Sequence, residues 1–470
     1  MTILDFRCLT PFLIVASAPI VIMLTITVSR NYKVIYGFSL FMFLAAFLSL
    51  FIVLPHKFEP LLVIDNFSIL MLGTVYCVGF LITILSYIYL NQQGGEREEY
   101  FIILFVATLG ASVLITANHF ITFFLGLETL SISLYVLVAY LKTRDYCIEA
   151  GVKFLVIASV ATSFLLFGMS LIYALTGTMS FKGISSAIAL SGFSPLLIAG
   201  SGMMLVGIGF KLALVPFHMW TPDVYQGAPA PVSAFIATIS KGSVLAIALR
   251  FFFEIRGYQY NSIIFIISAL AILSMFTGNL LALKQTNFKR LLAYSSIAHL
   301  GYLLIMLLTG TTDGLQAAIF YLISYMITTL GAFGVISILS VCERDAEDIE
   351  DLKGLFRRSP WIAIVLSLTL FSLAGIPLTA GFIAKFYLAL AGLKSGLWVL
   401  VISLIINSVI SLYYYLRVIK TMFSVSERTD QINIPAIGNI VLAIIVAGIL
   451  FLGILPSFLT DIISGFSSLN

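Results

Sequence analysis

Charge is scarce in this sequence: Asp, Glu, Lys and Arg make up 10% of its 470 residues, where a soluble domain carries roughly 25%. Hydrophobic residues reach 61% and the mean hydropathy is +1.12. A water-soluble globule is therefore excluded, and lipid must be the main solvent. Cysteine is scarce as well. Cys8, Cys77, Cys147 and Cys342 stand far apart with no Cys-x-x-Cys pair, which gives no thiolate metal site, no iron–sulfur motif and no disulfide framework. A Walker A loop and a dinucleotide fingerprint are also missing. The acidic stretch Glu343–Asp351 lacks the ligand order of an EF-hand and reads as a solvated inner loop. The net charge of +4 says little about partners, and no nucleic-acid partner is expected. The first apolar stretch has no basic leader followed by a small-residue cleavage site, so it reads as a retained helix.

What is abundant is apolar sequence in lengths that span a bilayer, about 20 residues each. Charges bracket eleven clean windows, at 8–29, 34–55, 66–95, 154–181, 183–210, 257–283, 291–312, 314–342, 359–384, 395–416 and 431–460. Residues 100–141 carry one charge, Glu128, and are too long for one crossing of a core about 30 Å thick. This stretch is expected to turn back near Asn118-His119. A further span runs from about Ala230 to Phe252. The expected fold is an all-α polytopic membrane protein with fourteen transmembrane helices. Sixteen Lys and Arg fall in loops after odd-numbered spans and six on the opposite side, which puts both termini outside.

Three cations remain, Lys211, Lys241 and Lys385, and all lie within spans. With Glu128 they read as the formal charges at membrane depth. A charge at a helix centre costs about 2.5–3.5 kcal/mol on insertion scales, and such residues usually line a water path or pair with one another. Glu128 and Lys241 lie too centrally to reach the interface by snorkelling.

Lys211 and Lys385 sit beside helix breaks. Gly207-Ile-Gly-Phe-Lys211 is followed by Pro216 and Pro222, and Gly375-Ile-Pro377 precedes Lys385. Proline removes a backbone donor and clashes with the carbonyl four residues back, and a broken helix in lipid persists where its freed groups face protein or a water-filled cavity. A packing kink explains either break alone; two, each beside a lysine, point to function. The breaks fall in spans 7 and 12, five apart, as in transporters built of inverted repeats. One five-helix repeat is expected over spans 4–8 (residues 100–255) and a second, inverted, over spans 9–13 (residues 257–425). Three helices within 1–95 precede them and a C-terminal helix at 431–460 follows.

His299 lies in the tenth span, five after Glu128, and reads as a relay member because imidazole titrates near physiological pH. His218, near the first break, reads equally as a capping group or a relay group. His119 sits at a turn and His56 in a loop. Burial disfavours the charged form of an amine and a nearby anion favours it. Three lysines facing one glutamate thus suit a proton relay, with Lys211 the best partner for Glu128.

The segment Gly209-Phe-Lys211-Leu-Ala-Leu-Val-Pro216-Phe-His218-Met-Trp220-Thr-Pro222-Asp223-Val-Tyr225-Gln-Gly227-Ala-Pro229-Ala-Pro231, followed by Ser240-Lys241, resembles the antiporter-like membrane subunits of proton-translocating NADH-quinone oxidoreductase, respiratory complex I. Leu127-Glu128, Lys289-Arg290-Leu-Leu-Ala-Tyr-Ser295-Ser-Ile-Ala-His299 and Pro377-Leu-Thr-Ala-Gly-Phe-Ile-Ala-Lys385 extend the resemblance over nearly the whole chain. The wording Met-Trp-Thr-Pro-Asp-Val-Tyr and a lysine at 385 resemble the N-type members, the counterpart of mitochondrial subunit 2. The resemblance implies fourteen helices with inverted repeats. It implies Glu128 and Lys211 as a coupled pair, Lys241 and His299 as a central relay, and Lys385 as the gate of a second half-channel. It further implies a bacterial inner membrane location and other complex I subunits as partners, above all neighbouring antiporter-like ones. No cofactor is expected in this chain; FMN, iron–sulfur clusters and quinone would belong to partner subunits. An Mrp-type cation/proton antiporter subunit and a structural membrane scaffold are the alternatives.

Overall fold

The computed structural model describes residues 3–93, 97–192, 194–340, 345–426 and 435–466. Their apolar runs fold as helices because a helix satisfies its backbone donors and acceptors within one segment, which lipid requires. In order these are α1 (Ile3–Val28), α2 (Tyr32–Ser49), α3 (Asn66–Gln93), α4 (Glu99–Thr116), α5 (Phe120–Val138), α6 (Asp145–Thr176), α7 (Phe181–Ser191), α8 (Pro195–Leu212), α9 (Trp220–Gly227) and α10 (Ala230–Glu254). They continue with α11 (Asn261–Leu283), α12 (Phe288–Thr309), α13 (Thr312–Leu339), α14 (Pro360–Ala374), α15 (Ala380–Lys394), α16 (Trp398–Phe423), α17 (Ala436–Ile454) and α18 (Pro456–Phe466). A short antiparallel hairpin, His56–Phe58 with Leu62–Ile64, joins α2 to α3.

Among the described residues 13 helices are long and apolar enough to cross a membrane. The expected twelfth span, 359–384, divides between α14 and α15, each of 15 residues, about 22 Å and too short to cross alone. The turn expected near Asn118-His119 is present. α4 ends at Thr116 and α5 starts at Phe120, with the His119 ring accepting from the Ile121 amide.

Two windows divide differently from expectation. The stretch 183–210 holds most of a separate amphipathic helix, α7, and most of α8, because Ser194 caps a new helix and Pro195 opens it. The stretch 431–460 ends its crossing at Ile454, where Pro456 starts α18; residues 431–434 lie outside the described set. Of the four charges expected inside, Lys211, Lys241 and Lys385 are buried and Glu128 is half-buried, and charge is buried beyond them. Asp65, Arg144, Arg250, Lys289 and Asp345 are all inside the protein. Asp345 thus corrects the reading of Glu343–Asp351 as a solvated loop: it accepts from Arg144, Lys289 and Tyr89. Cys342, Glu343 and Arg344 lie outside the described residues.

Three helices form the interior. The most apolar windows of α10 and α12 are 100% buried and that of α13 is 89% buried, against 28% for α1. α12 packs on α9, α11, α13 and α15, so it runs between the two breaks.

Candidate proton-relay site

Both breaks are built alike. At the first, the Ala213 amide donates to Phe210 O (2.9 Å) and the Leu214 amide to Gly209 O (2.8 Å). At the second, the Gly375 amide donates to Ser372 O (3.1 Å) and the Ile376 amide to Phe371 O (3.0 Å). These are the two bonds of a Schellman motif, which needs a left-handed residue after the helix. Ala213 (φ 59) and Gly375 (φ 85) supply it. Pro216 and Pro377 follow and prevent the helix from resuming at once. The returning α15 comes so near that a Cβ on Gly381 would lie 1.8 Å from Ser372 O.

Lys385 completes the second break. Its ammonium donates to Leu373 O (3.0 Å), Ala374 O (2.9 Å) and Ser408 Oγ (3.0 Å). The first two carbonyls are the ones that the Schellman motif leaves over, and the C-terminal end of a helix favours a cation. The ring of Tyr302 lies 5.5 Å away.

Lys211, in the last turn of α8, donates to Ser131 Oγ on α5 at 2.6 Å. The rings of Tyr135, Phe210 and Phe154 stand 5.8–6.0 Å from the ammonium. Glu128 lies one turn before Ser131 and accepts from Thr162 Oγ1 at 3.0 Å. Lys211 is thus tied to the turn of α5 that follows Glu128, through a serine, while the carboxylate is held by Thr162 on α6.

Lys241 follows a widened π turn, Ile236–Ser240, in the middle of α10, a distortion frequent at functional sites. Its ammonium donates to the hydroxyl of Ser296 on α12 and lies 5.2 Å from the Tyr225 ring. One turn further along α12, His299 Nδ1 shares a hydrogen bond with the Tyr321 hydroxyl (2.7 Å), with the Tyr325 ring 5.3 Å away. α12 therefore carries the contact of Lys241, the imidazole, and Tyr302 at the wall of Lys385. His218 lies buried in the turn of the first break.

The sequence does not single out the hydroxyl partners Ser131, Thr162, Ser296, Tyr321 and Ser408. Serine and threonine are common in membrane helices, where their hydroxyls can bond the preceding turn, and nothing in the local pattern separates these from the rest.

Lone charges, broken helices and a shared buried helix define the class of a proton- or ion-conducting membrane subunit. Residues 117–411 match the family described as NADH:quinone oxidoreductase/Mrp antiporter, TM, and the chain belongs to this family. It is 41% identical, over 98% of its length and 95% of the relative's, to NADH-quinone oxidoreductase subunit N of Methylococcus capsulatus. It superposes on a chain of respiratory complex I from Thermus thermophilus with bound aureothin at a TM-score of 0.84 and 30% identity, covering 96% of this chain and 98% of that one. A chain of the Mrp complex from Dietzia sp. shares the fold at a TM-score of 0.85 and 20% identity, with 99% and 97% covered.

Proposed function

We propose that this chain is a membrane-arm subunit of NADH-quinone oxidoreductase and translocates protons across a bacterial inner membrane. NADH oxidation and quinone reduction take place in partner subunits, which would hold FMN, iron–sulfur clusters and quinone, and neighbouring antiporter-like subunits transmit the coupling. Both termini face outward, as the sixteen-to-six division of loop cations implies.

The observation that carries this reading is the row of buried titratable groups along α12. Lys241 is tied to Ser296, His299 lies one turn on, and Lys385 lies against Tyr302. Glu128 and Lys211 form the first half of the path, and a change in their separation would alter the proton affinity of Lys211. Lys385 serves the second half. The two halves correspond to inverted repeats over residues 100–255 and 257–425, supported by the matched Schellman breaks. Three helices within 1–95 and a helix within 431–460 flank them.

Lys211→Ala tests the reading. Expected is an assembled complex in which proton pumping and NADH:quinone reductase activity both fall. A normal proton-to-electron ratio in the assembled variant would exclude the relay. Loss of assembly with an unchanged ratio in the remaining complex would favour a scaffold.

A further inference from the structure

The second half of the path holds two buried carboxamides that the relay does not use. Asn279 on α11 and Asn407 on α16 are both 0% exposed. Asn279 Nδ2 has Tyr302 Oη (3.0 Å), Asn407 Oδ1 (3.1 Å) and Met275 O (2.9 Å) as acceptors, which its two hydrogens share, and its Oδ1 accepts from Tyr414 Oη (2.9 Å). Asn407 Nδ2 is held by Ser403 O at 2.9 Å.

On one side of this pair is Tyr302, whose ring walls Lys385. On the other, Tyr414 lies against Tyr415 with ring centres 4.4 Å apart, and the Tyr415 hydroxyl bonds that of Ser295. Asn279 stands one turn before the end of α11, where Arg417 donates to Leu283 O and Gln285 O. That end of the molecule is the cation-rich one, with Lys284, Lys289, Arg290 and Lys420. A row of side chains thus runs from Lys385 through Tyr302, Asn279, Tyr414 and Tyr415 to the buried Ser295, nearer the cation-rich end, and the Asn279 amide, held by Asn407, interrupts its hydroxyls.

We infer that Asn279 and Asn407 form a proton-insulating lock on the cation-rich side of Lys385. A hydroxyl both accepts and donates through one oxygen, so a proton can enter and leave it. A carboxamide donates through nitrogen and accepts through oxygen. Passing a proton along it requires protonating the oxygen and stripping the nitrogen, which leaves a disfavoured imidic acid. Here both ends of the Asn279 amide are engaged, which fixes its orientation with the nitrogen toward Tyr302 and the oxygen toward Tyr414, so a proton passing between the two hydroxyls must cross the amide from one atom to the other. The lock keeps Lys385 exchanging with His299 and the opposite face.

This inference rests on the relay reading above. Its test is passive proton leak in proteoliposomes of the assembled complex without NADH, which separates it from the pumping assay for Lys211. Asn279→Asp introduces a carboxyl that can take up and release a proton through its oxygens. Asn279→Leu removes the same nitrogen donors and adds no proton carrier. Expected is that Asn279→Asp collapses an imposed pH gradient roughly tenfold faster, a modest effect for a positioned proton carrier, while Asn279→Leu stays as tight as the parent. Asn279→Glu, which also places a carboxyl between the two hydroxyls, is measured in the same way, is expected to leak and guards against failed assembly of the first variant; Asn407→Asp leaves Asn279 in place and is expected to stay tight. Tight Asn279→Asp and Asn279→Glu variants would overturn the inference. Equal leak from the Leu and Asp variants would also overturn it, because that outcome is the one a packing role gives.

Discussion

Three lysines share burial and differ in what holds them. Lys385 has three oxygen partners and caps a helix end, Lys211 has Ser131 and aromatic faces, and Lys241 has Ser296 and the Tyr225 face. Hydrogen bonds to a charged group contribute about 1.5–3 kcal/mol, so removing one changes a proton affinity by roughly tenfold or more. Ser296→Ala is expected to leave assembly intact and slow NADH-driven proton uptake by about that factor. Unchanged uptake would take Ser296 out of the path. The lysines were legible in the sequence because a charge within an apolar span is costly and conspicuous. Ser296 was not legible, since its role comes from α10 lying beside α12, a relation between segments 55 residues apart.

At the scale of the element, both breaks were legible because glycine and proline interrupt otherwise continuous apolar runs. Their construction was not, since the Schellman bonds and the Lys385 cap depend on how the chain returns. The separate helix α7 was missed although Ser194-Pro195 spells a helix start; an uncharged window conceals where the chain turns within it. The tightness of the second break yields a prediction. Gly381→Ala would push a methyl group against Ser372 O, an overpacking expected to cost about 3 kcal/mol, the upper end of the usual range. Gly202→Ala, with nothing within 4 Å, is expected to be neutral or to stabilise by up to about 1 kcal/mol through helix propensity. Thermal midpoints of the solubilised protein compare the two, and a Gly381→Ala midpoint equal to the parent would contradict the break geometry.

For the whole molecule, α3 is a strut fastened by buried ion pairs near both ends. Asp65, just before its first residue, receives two hydrogen bonds from Arg250 (2.7 and 2.9 Å). At the other end Tyr89 meets Asp345, which also binds Arg144 (2.9 Å) and Lys289 (2.8 Å). Lys289 reaches on to Gln226 O and Ala228 O at the end of α9, so this network joins the strut to the first broken crossing. The sequence placed Arg144, Arg250 and Lys289 among loop cations because proximity to a span end says nothing about burial. At Asp345 burial works to raise the carboxyl, but Lys289, Tyr89 and Arg144 outweigh it and hold the group below its ordinary 3.8. A carboxyl lowered on folding stabilises the protein above its unfolded value, and that contribution is lost as the pH falls through the folded value. The parent should therefore keep this contribution down to about pH 4 and lose it at more acid pH. Asp345→Asn leaves Arg144 and Lys289 buried without their anion, which should cost about 3–5 kcal/mol at pH 7. Its thermal midpoint should lie well below the parent's at pH 7, and the gap should narrow below about pH 4 as the parent's own carboxylate is protonated. A gap that stays constant into acid would show that Asp345 acts through shape, and the strut would then owe its fastening at this end to packing rather than to charge.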